Sequence, residues 1–131
     1  MEQIEFSAFV DAFITTLIWS SGEEYDGKDA DDLSLEARHA IEADCQDFLR
    51  RVEDKFLSCN WHHVPGSRGE WCEWSQLAHD YCLTRNGHGA GFWDGDWDDT
   101  GISEFLDEQA KESSLMTIYD GDDGKLHVFI G

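Results

Sequence analysis

Large apolar side chains return at three- and four-residue steps along three separate segments of this chain. The segments cover residues 4–20, 34–57 and 71–85. Such spacing places the apolar side chains on one stripe of a helix. A helix with one apolar stripe has to bury it against another element. The chain is therefore expected to fold as amphipathic helices that share one core.

Capping residues support these helix boundaries. Ser34 is a suitable N-cap for the second helix, and Glu36 would lie in its first turn, where negative charge is favoured. Asn86 and Gly87 both tolerate the left-handed conformation that ends many helices, so the third helix should stop there. A short fourth helix is expected around Phe105. Its inward side would carry Ile102, Phe105, Leu106 and Gln109.

Two β-prone runs close the sequence. Residues 115–119 and 125–130 flank Asp120-Gly121-Asp122-Asp123-Gly124, which is typical of a hairpin turn. The buried face of this hairpin should carry Met116, Ile118, Leu126, Val128 and Ile130. An isolated hairpin is only marginally stable in water, so this one must pack on the helices or on a partner.

The predicted fold class is α+β, with about four helices around an aromatic core and a C-terminal β-hairpin. With 6 Trp, 8 Phe and 3 Tyr, the chain has enough large side chains to build that core. A length of 131 residues corresponds to one compact domain spanning residues 1–131.

Negative charge dominates the polar residues. There are 29 Asp and Glu against 9 Lys and Arg, a formal net charge of -20 at pH 7. Nucleic acids and anionic membranes are bound through basic patches, so neither is an expected direct partner. The acids are clustered: residues 22–32 hold 6 acids and 1 base, and residues 92–131 hold 11 acids and 2 bases.

Clustered acids repel one another, so their placement suggests a binding role. Duplex DNA carries one negative charge per about 1.7 Å of axis, and a rigid array of carboxylates can occupy a cleft built for it. Trp93 and Trp97, among these acids, could be exposed and anchor the contact, and packing in the core is the alternative for both. A solvated, solubility-enhancing face is the alternative. The candidate partner-binding residues are Glu23, Glu24, Asp26, Asp29, Asp31, Asp32, Asp94, Asp96, Trp97, Asp98, Asp99, Glu104, Asp107 and Glu108.

Metal binding is a second possibility. A zinc site would draw on Cys59, His62, His63, Cys72, His79 and Cys82, although these do not form the two close pairs of a zinc finger. Residues 96–107 also echo a calcium-binding EF-hand loop. That pattern breaks at Ser103, where an aliphatic residue is usual, and at Asp107, where a Glu is usual. Burial of Cys45 and Cys82 in helical core stripes is the favoured interpretation of those thiols.

A catalytic centre is a third possibility. His79 is followed by Asp80, and His88 lies among glycines whose amides could bind an anion. No strand precedes the glycines and no Lys-Ser/Thr follows them, so this is not a phosphate-binding loop. We therefore assign no catalytic residue, metal ligand or cofactor. A small metal-binding or catalytic protein centred on His79, His88 and the cysteines stays open as the alternative.

One stretch resembles a family. The run Leu83-Thr84-Arg85-Asn86-Gly87-His88-Gly89-Ala90-Gly91-Phe92-Trp93-Asp94 is similar to a segment shared by small acidic proteins encoded by tailed bacteriophages. Looser similarity extends to Ile18-Trp19-Ser20-Ser21, to Ala43-Asp44-Cys45 and to the turn at residues 120–124. The resemblance implies expression in an infected bacterial cytoplasm and carries over no catalytic residue.

The sequence thus predicts a cytoplasmic, non-enzymatic inhibitor. It would bind a basic host or defence protein that handles nucleic acid, such as a CRISPR effector or a restriction enzyme, by nucleic-acid mimicry. An interaction module in phage assembly, which would bind basic phage proteins instead, is a further alternative. The acidic N-terminal residues 1–5 lack the positive charge of a secretory signal, which agrees with a cytoplasmic location.

Overall fold

The computed structural model describes residues 3–58, 73–87, 91–92, 97 and 101–131. Within these residues the chain forms four α-helices and one antiparallel hairpin, so the predicted α+β fold is confirmed. Two short 3-10 turns, Glu23–Tyr25 and Ala30–Asp32, connect the first two helices. The other elements are α1 (Gln3–Ser20), α2 (Leu35–Ser58), α3 (Glu73–Arg85), α4 (Ser103–Lys111), β1 (Met116–Asp120) and β2 (Leu126–Ile130).

The helix ends follow the predicted capping residues. The Ser34 hydroxyl accepts a hydrogen bond from the Ala37 amide at 3.0 Å, which satisfies one of the free N–H groups at the start of α2. Gly87 has φ 77 and donates its amide hydrogen to the Thr84 carbonyl at 3.1 Å, which ends α3. Local sequence therefore determines where α2 begins and where α3 ends.

The core lies between α1, α2 and α3. Phe48 of α2 stacks on Tyr81 of α3 with ring centroids 3.8 Å apart, and Phe9 and Phe13 of α1 pack against the same tyrosine. Aromatic pairs of this kind add stability beyond the apolar area that they bury. The largest fully buried side chains include Phe9, Phe13, Phe48, Phe56, Tyr81, Phe92 and Trp97.

The hairpin packs on the helical core as predicted. Met116, Ile118 and Leu126 are buried, and the Ser34 amide donates to the Leu126 carbonyl at 2.8 Å. The prediction for Ile130 is wrong, because its side chain is 40% exposed. Ile130 is the last residue of β2, and at this end of the hairpin the core covers its register partner Met116 on β1 but not Ile130.

α1 is the most apolar helix of the chain. No helix in the described part of the chain is long and apolar enough to cross a membrane. Phe9, Phe13, Ile14 and Leu17 of α1 are buried in the shared core, whereas Trp19 near its end is exposed.

Candidate partner-binding surface

Residues 22–32, here called the acidic segment, are anchored by Tyr25. Its side chain is buried, and its hydroxyl donates a hydrogen bond to the Ile118 carbonyl at 3.3 Å, so the segment is joined to the hairpin. Burial, followed by the negative charges of Glu24 and Asp120, raises the pKa of Tyr25.

Two carboxylates of the acidic segment stiffen its backbone. The Asp29 side chain accepts a hydrogen bond from the Asp31 amide at 2.9 Å, and the Asp32 side chain accepts one from the Asp29 amide at 2.8 Å. This reciprocal capping arrangement closes the turn Ala30–Asp32. The backbone at residues 29–32 is consequently held by two carboxylates of the segment itself.

The remaining charges of the segment face solvent. Glu23, Glu24, Asp26, Asp29 and Asp31 are exposed, and Asp32 is partly exposed. Within the segment these acids face a single base, Lys28. The predicted exposure of the acids in this region is therefore confirmed.

Most bases of the described chain are paired with acids elsewhere. Arg51 of α2 lies 3.3 Å from Asp47, and Lys111 of α4 lies 2.9 Å from Asp107. Because these bases are neutralised locally, they do little to offset the field of the acidic segment. The other pairs are Arg38–Asp11, Arg50–Asp47 and Arg85–Asp44.

The predicted acids on α4 form a second, separate region. Glu104 and Glu108 are exposed, but the prediction that Asp107 belongs to the binding surface is wrong, because this residue is buried. Asp107 lies on the face that α4 turns towards the core, beside Leu106. α4 contacts α2 at Arg51. This residue lies about 24 Å along the α2 axis from Leu35, the first residue of α2 and the one closest in sequence to the acidic segment.

Trp97 is also not available to a partner. It is fully buried, packs against Phe56 and Phe92 with ring centroids 6.0 and 5.5 Å away, and donates its indole N–H to the Asp80 carboxylate. The prediction of an exposed tryptophan is therefore wrong: the aromatic ring is used in the core and its polar N–H has an internal acceptor. Asp94, Asp96, Asp98 and Asp99, which were predicted beside it, lie outside the described residues.

The catalytic alternative gains no support from the described residues. His79 lies 3.0 Å from the Thr16 hydroxyl, measured from its Nδ1 atom, and its ring stacks on Trp19. Asp80 is buried and accepts hydrogen bonds from Gln76, at 2.9 Å, and from Trp97. The two neighbours thus have different partners, and His88 lies outside the described part.

The zinc alternative can be examined only in part. Cys45 and Cys82 are free and buried, and burial raises the pKa of the Cys82 thiol to about 12. Among the described residues no group of three His, Cys, Asp or Glu is arranged to hold a metal ion. The candidates that lie outside this part are Cys59, His62, His63 and Cys72.

One polar cluster escaped the sequence-based prediction. The side chain of Arg85 is fully buried, forms an ion pair with Asp44 and donates to the Ser114 carbonyl at 2.9 Å from its Nε atom. The Tyr81 hydroxyl also donates to Asp44, at 2.8 Å. Tyr81 and Arg85 are one turn apart on α3, but Asp44 lies on α2 and Ser114 follows α4, so no local pattern predicts that these four residues meet.

Comparison with known proteins adds no relative from which a role could be transferred. No protein-family model, curated protein or solved structure matches this chain.

Proposed function

We propose that this protein is a non-enzymatic binding protein whose acidic segment attaches to the basic, nucleic-acid-binding surface of another protein. The observation that carries the proposal is the set of exposed carboxylates in residues 22–32, which Lys28 alone opposes within the segment and whose backbone is capped at residues 29–32. A surface that binds nucleic acid is built to receive such an array.

The rigidity of the segment favours binding. A disordered acidic loop would lose conformational freedom on binding, whereas a loop already held by Tyr25 and by the Asp29–Asp32 capping loses less. Its uncompensated charge also steers a basic partner towards it and speeds association. Both effects depend on charge, so the affinity should fall steeply as salt is added.

The class of partner follows from the charge and from the resemblance to bacteriophage proteins. Enzymes that act on DNA or RNA carry basic clefts, and in an infected bacterium they include CRISPR effectors and restriction enzymes. Occupation of such a cleft would inhibit the enzyme by excluding its substrate. Attachment to a basic phage protein during assembly would use the same surface.

The test is affinity capture from bacterial lysate at about 50 mM and about 500 mM salt, followed by competition with duplex DNA. We expect a stoichiometric, nucleic-acid-binding partner that is retained at low salt and is displaced by DNA. Retention of a partner that is indifferent to both salt and DNA would contradict the proposal.

A further inference from the structure

A cavity of about 280 Å³ lies where the end of α1, the acidic segment, the end of α3 and β1 meet. It is at the lower limit of ligand pockets, which span about 300–1,000 Å³, so it suits one side chain better than a nucleotide cofactor. The residues that line it are Ser20, Ser21, Glu24, Tyr25, Asn86, Leu115, Met116, Thr117 and Ile118.

Three of the four hydroxyl groups that line this junction cavity donate hydrogen bonds to backbone carbonyls of the fold. The Ser20 and Ser21 hydroxyls donate to the Leu17 carbonyl at 3.3 and 2.6 Å, and the Tyr25 hydroxyl donates to the Ile118 carbonyl. Each of these three oxygens therefore has only lone pairs left for a ligand. They give the cavity several hydrogen-bond acceptors.

The lining of the junction cavity also contributes negative charge and apolar surface. Glu24 brings an exposed carboxylate to the cavity, and no Lys or Arg is among the lining residues. The lining also contains Leu115, which is half-exposed, and the buried Met116 and Ile118. A ligand that fits has a positive charge, several N–H donors and an apolar stem.

Arginine has this combination. Its guanidinium carries five N–H donors in a planar fork, and its methylene stem packs on apolar surface. Lysine concentrates three donors on one nitrogen and reaches separated acceptors less well. We propose that the junction cavity is a socket for an arginine side chain of the basic partner, and this assignment rests on the proposed function.

The socket can be tested without knowing the partner. The probe is N-acetyl-arginine amide, titrated into the full-length protein and followed by two-dimensional amide NMR. We expect saturable shifts confined to residues 20–25, 86 and 115–118, with a dissociation constant in the millimolar range because the ligand is small. The matched probes are N-acetyl-citrulline amide, which has the same shape without the charge, and N-acetyl-lysine amide. Both should bind at least about fivefold more weakly.

Two exposed glutamates provide the matched variants. Glu24→Gln removes the charge that lines the cavity and should weaken arginine binding about fivefold, whereas Glu36→Gln, outside both the lining and the acidic segment, should leave it unchanged. Both side chains are exposed, and the NMR spectrum itself shows whether each variant stays folded.

Three results would overturn the socket. These are equal binding of the citrulline or lysine probe, equal effects of Glu24→Gln and Glu36→Gln on arginine binding, and shifts spread over all acidic surfaces. If one of them is found while the lysate partner is still captured in a salt-sensitive, DNA-competed manner, the socket fails and the proposed function stands. If the socket is confirmed but no such partner is captured, the proposed function fails by itself.

Discussion

At the scale of single residues, a few polar groups in the core have a large effect on the stability of the fold. Arg85 is fully buried, and Asp44, Tyr81 and the Ser114 carbonyl surround its guanidinium. A buried charge is tolerated only when partners replace the water that it has lost. The cluster therefore couples α2, α3 and the segment that leads into β1.

This coupling predicts a large difference between two aspartates on the same helix. Asp44→Ala leaves the Arg85 charge buried without its partner and should lower the free energy of unfolding by about 3–5 kcal/mol. Asp47→Ala, which breaks only surface pairs with Arg50 and Arg51, should cost at most about 1 kcal/mol. Urea denaturation of both variants provides the comparison. Equal midpoints would show that the buried pair contributes no more to stability than the surface pairs.

The buried thiols give a second prediction at this scale. Burial raises the pKa of Cys82 to about 12 and that of Cys45 well above its ordinary value of 9.0. The unfolded chain releases these protons above about pH 9 and the folded chain does not, so stability is full below pH 9 and falls as the pH rises towards 12.

A Cys59→Ser, Cys72→Ser variant isolates these two thiols. In this background, Ellman's reagent at pH 8 should react with neither remaining cysteine until denaturant unfolds the chain. Rapid reaction in the native protein would mean that α2 and α3 open far more readily than their packing indicates.

At the scale of elements, the sequence pattern was sufficient to predict where the helices lie. It was less successful in predicting which side chains of an element are exposed. The apolar stripes and the Ser34 and Gly87 caps act through neighbours in the chain, so they predict where helices lie. Trp97, Asp107 and Ile130 were misplaced because contacts with distant segments, or the lack of them, set their exposure. The buried Asp44–Arg85 pair and the junction cavity were not foreseen for the same reason.

The hairpin turn depends on Asp123. Its carboxylate accepts hydrogen bonds from the Lys125 amide at 2.9 Å and interacts with the His127 ring at 3.1 Å, and these contacts lower its pKa. The group therefore stabilises the turn above its unfolded pKa, near 3.8, and this contribution is lost as the pH falls through the lower folded value.

Amide hydrogen exchange in β1 and β2 between about pH 5 and pH 2.5 measures this contribution, once corrected for intrinsic rates. Asp123→Asn should remove part of the acid-dependent loss of protection, and Asp122→Asn, its exposed neighbour, should not. If both variants follow the wild-type profile, another carboxylate controls the turn.

At the scale of the whole molecule, the distribution of charge is more informative than its sum. The bases are mostly paired with acids on α1, α2 and α4, and the acidic segment keeps its negative charge facing solvent. Net charge and clustering are readable from the sequence. Which carboxylates are fixed, and which bases they face, depends on tertiary contacts and required the structure.

Binding of the partner by two charge-matched variants tests the central claim most directly. One variant carries Glu23→Gln, Glu24→Gln and Asp26→Asn in the acidic segment. Its control carries Glu104→Gln, Glu108→Gln and Asp54→Asn, which remove the same charge from exposed positions on α4 and α2.

The affinity of each variant for the captured partner is then measured at low and high salt. We predict that the acidic-segment variant binds about tenfold more weakly at low salt and loses much of its salt dependence, while the control stays close to wild type. Equal weakening of the two variants would mean that only total charge matters. Unchanged binding by the acidic-segment variant would contradict its role as the partner-binding surface.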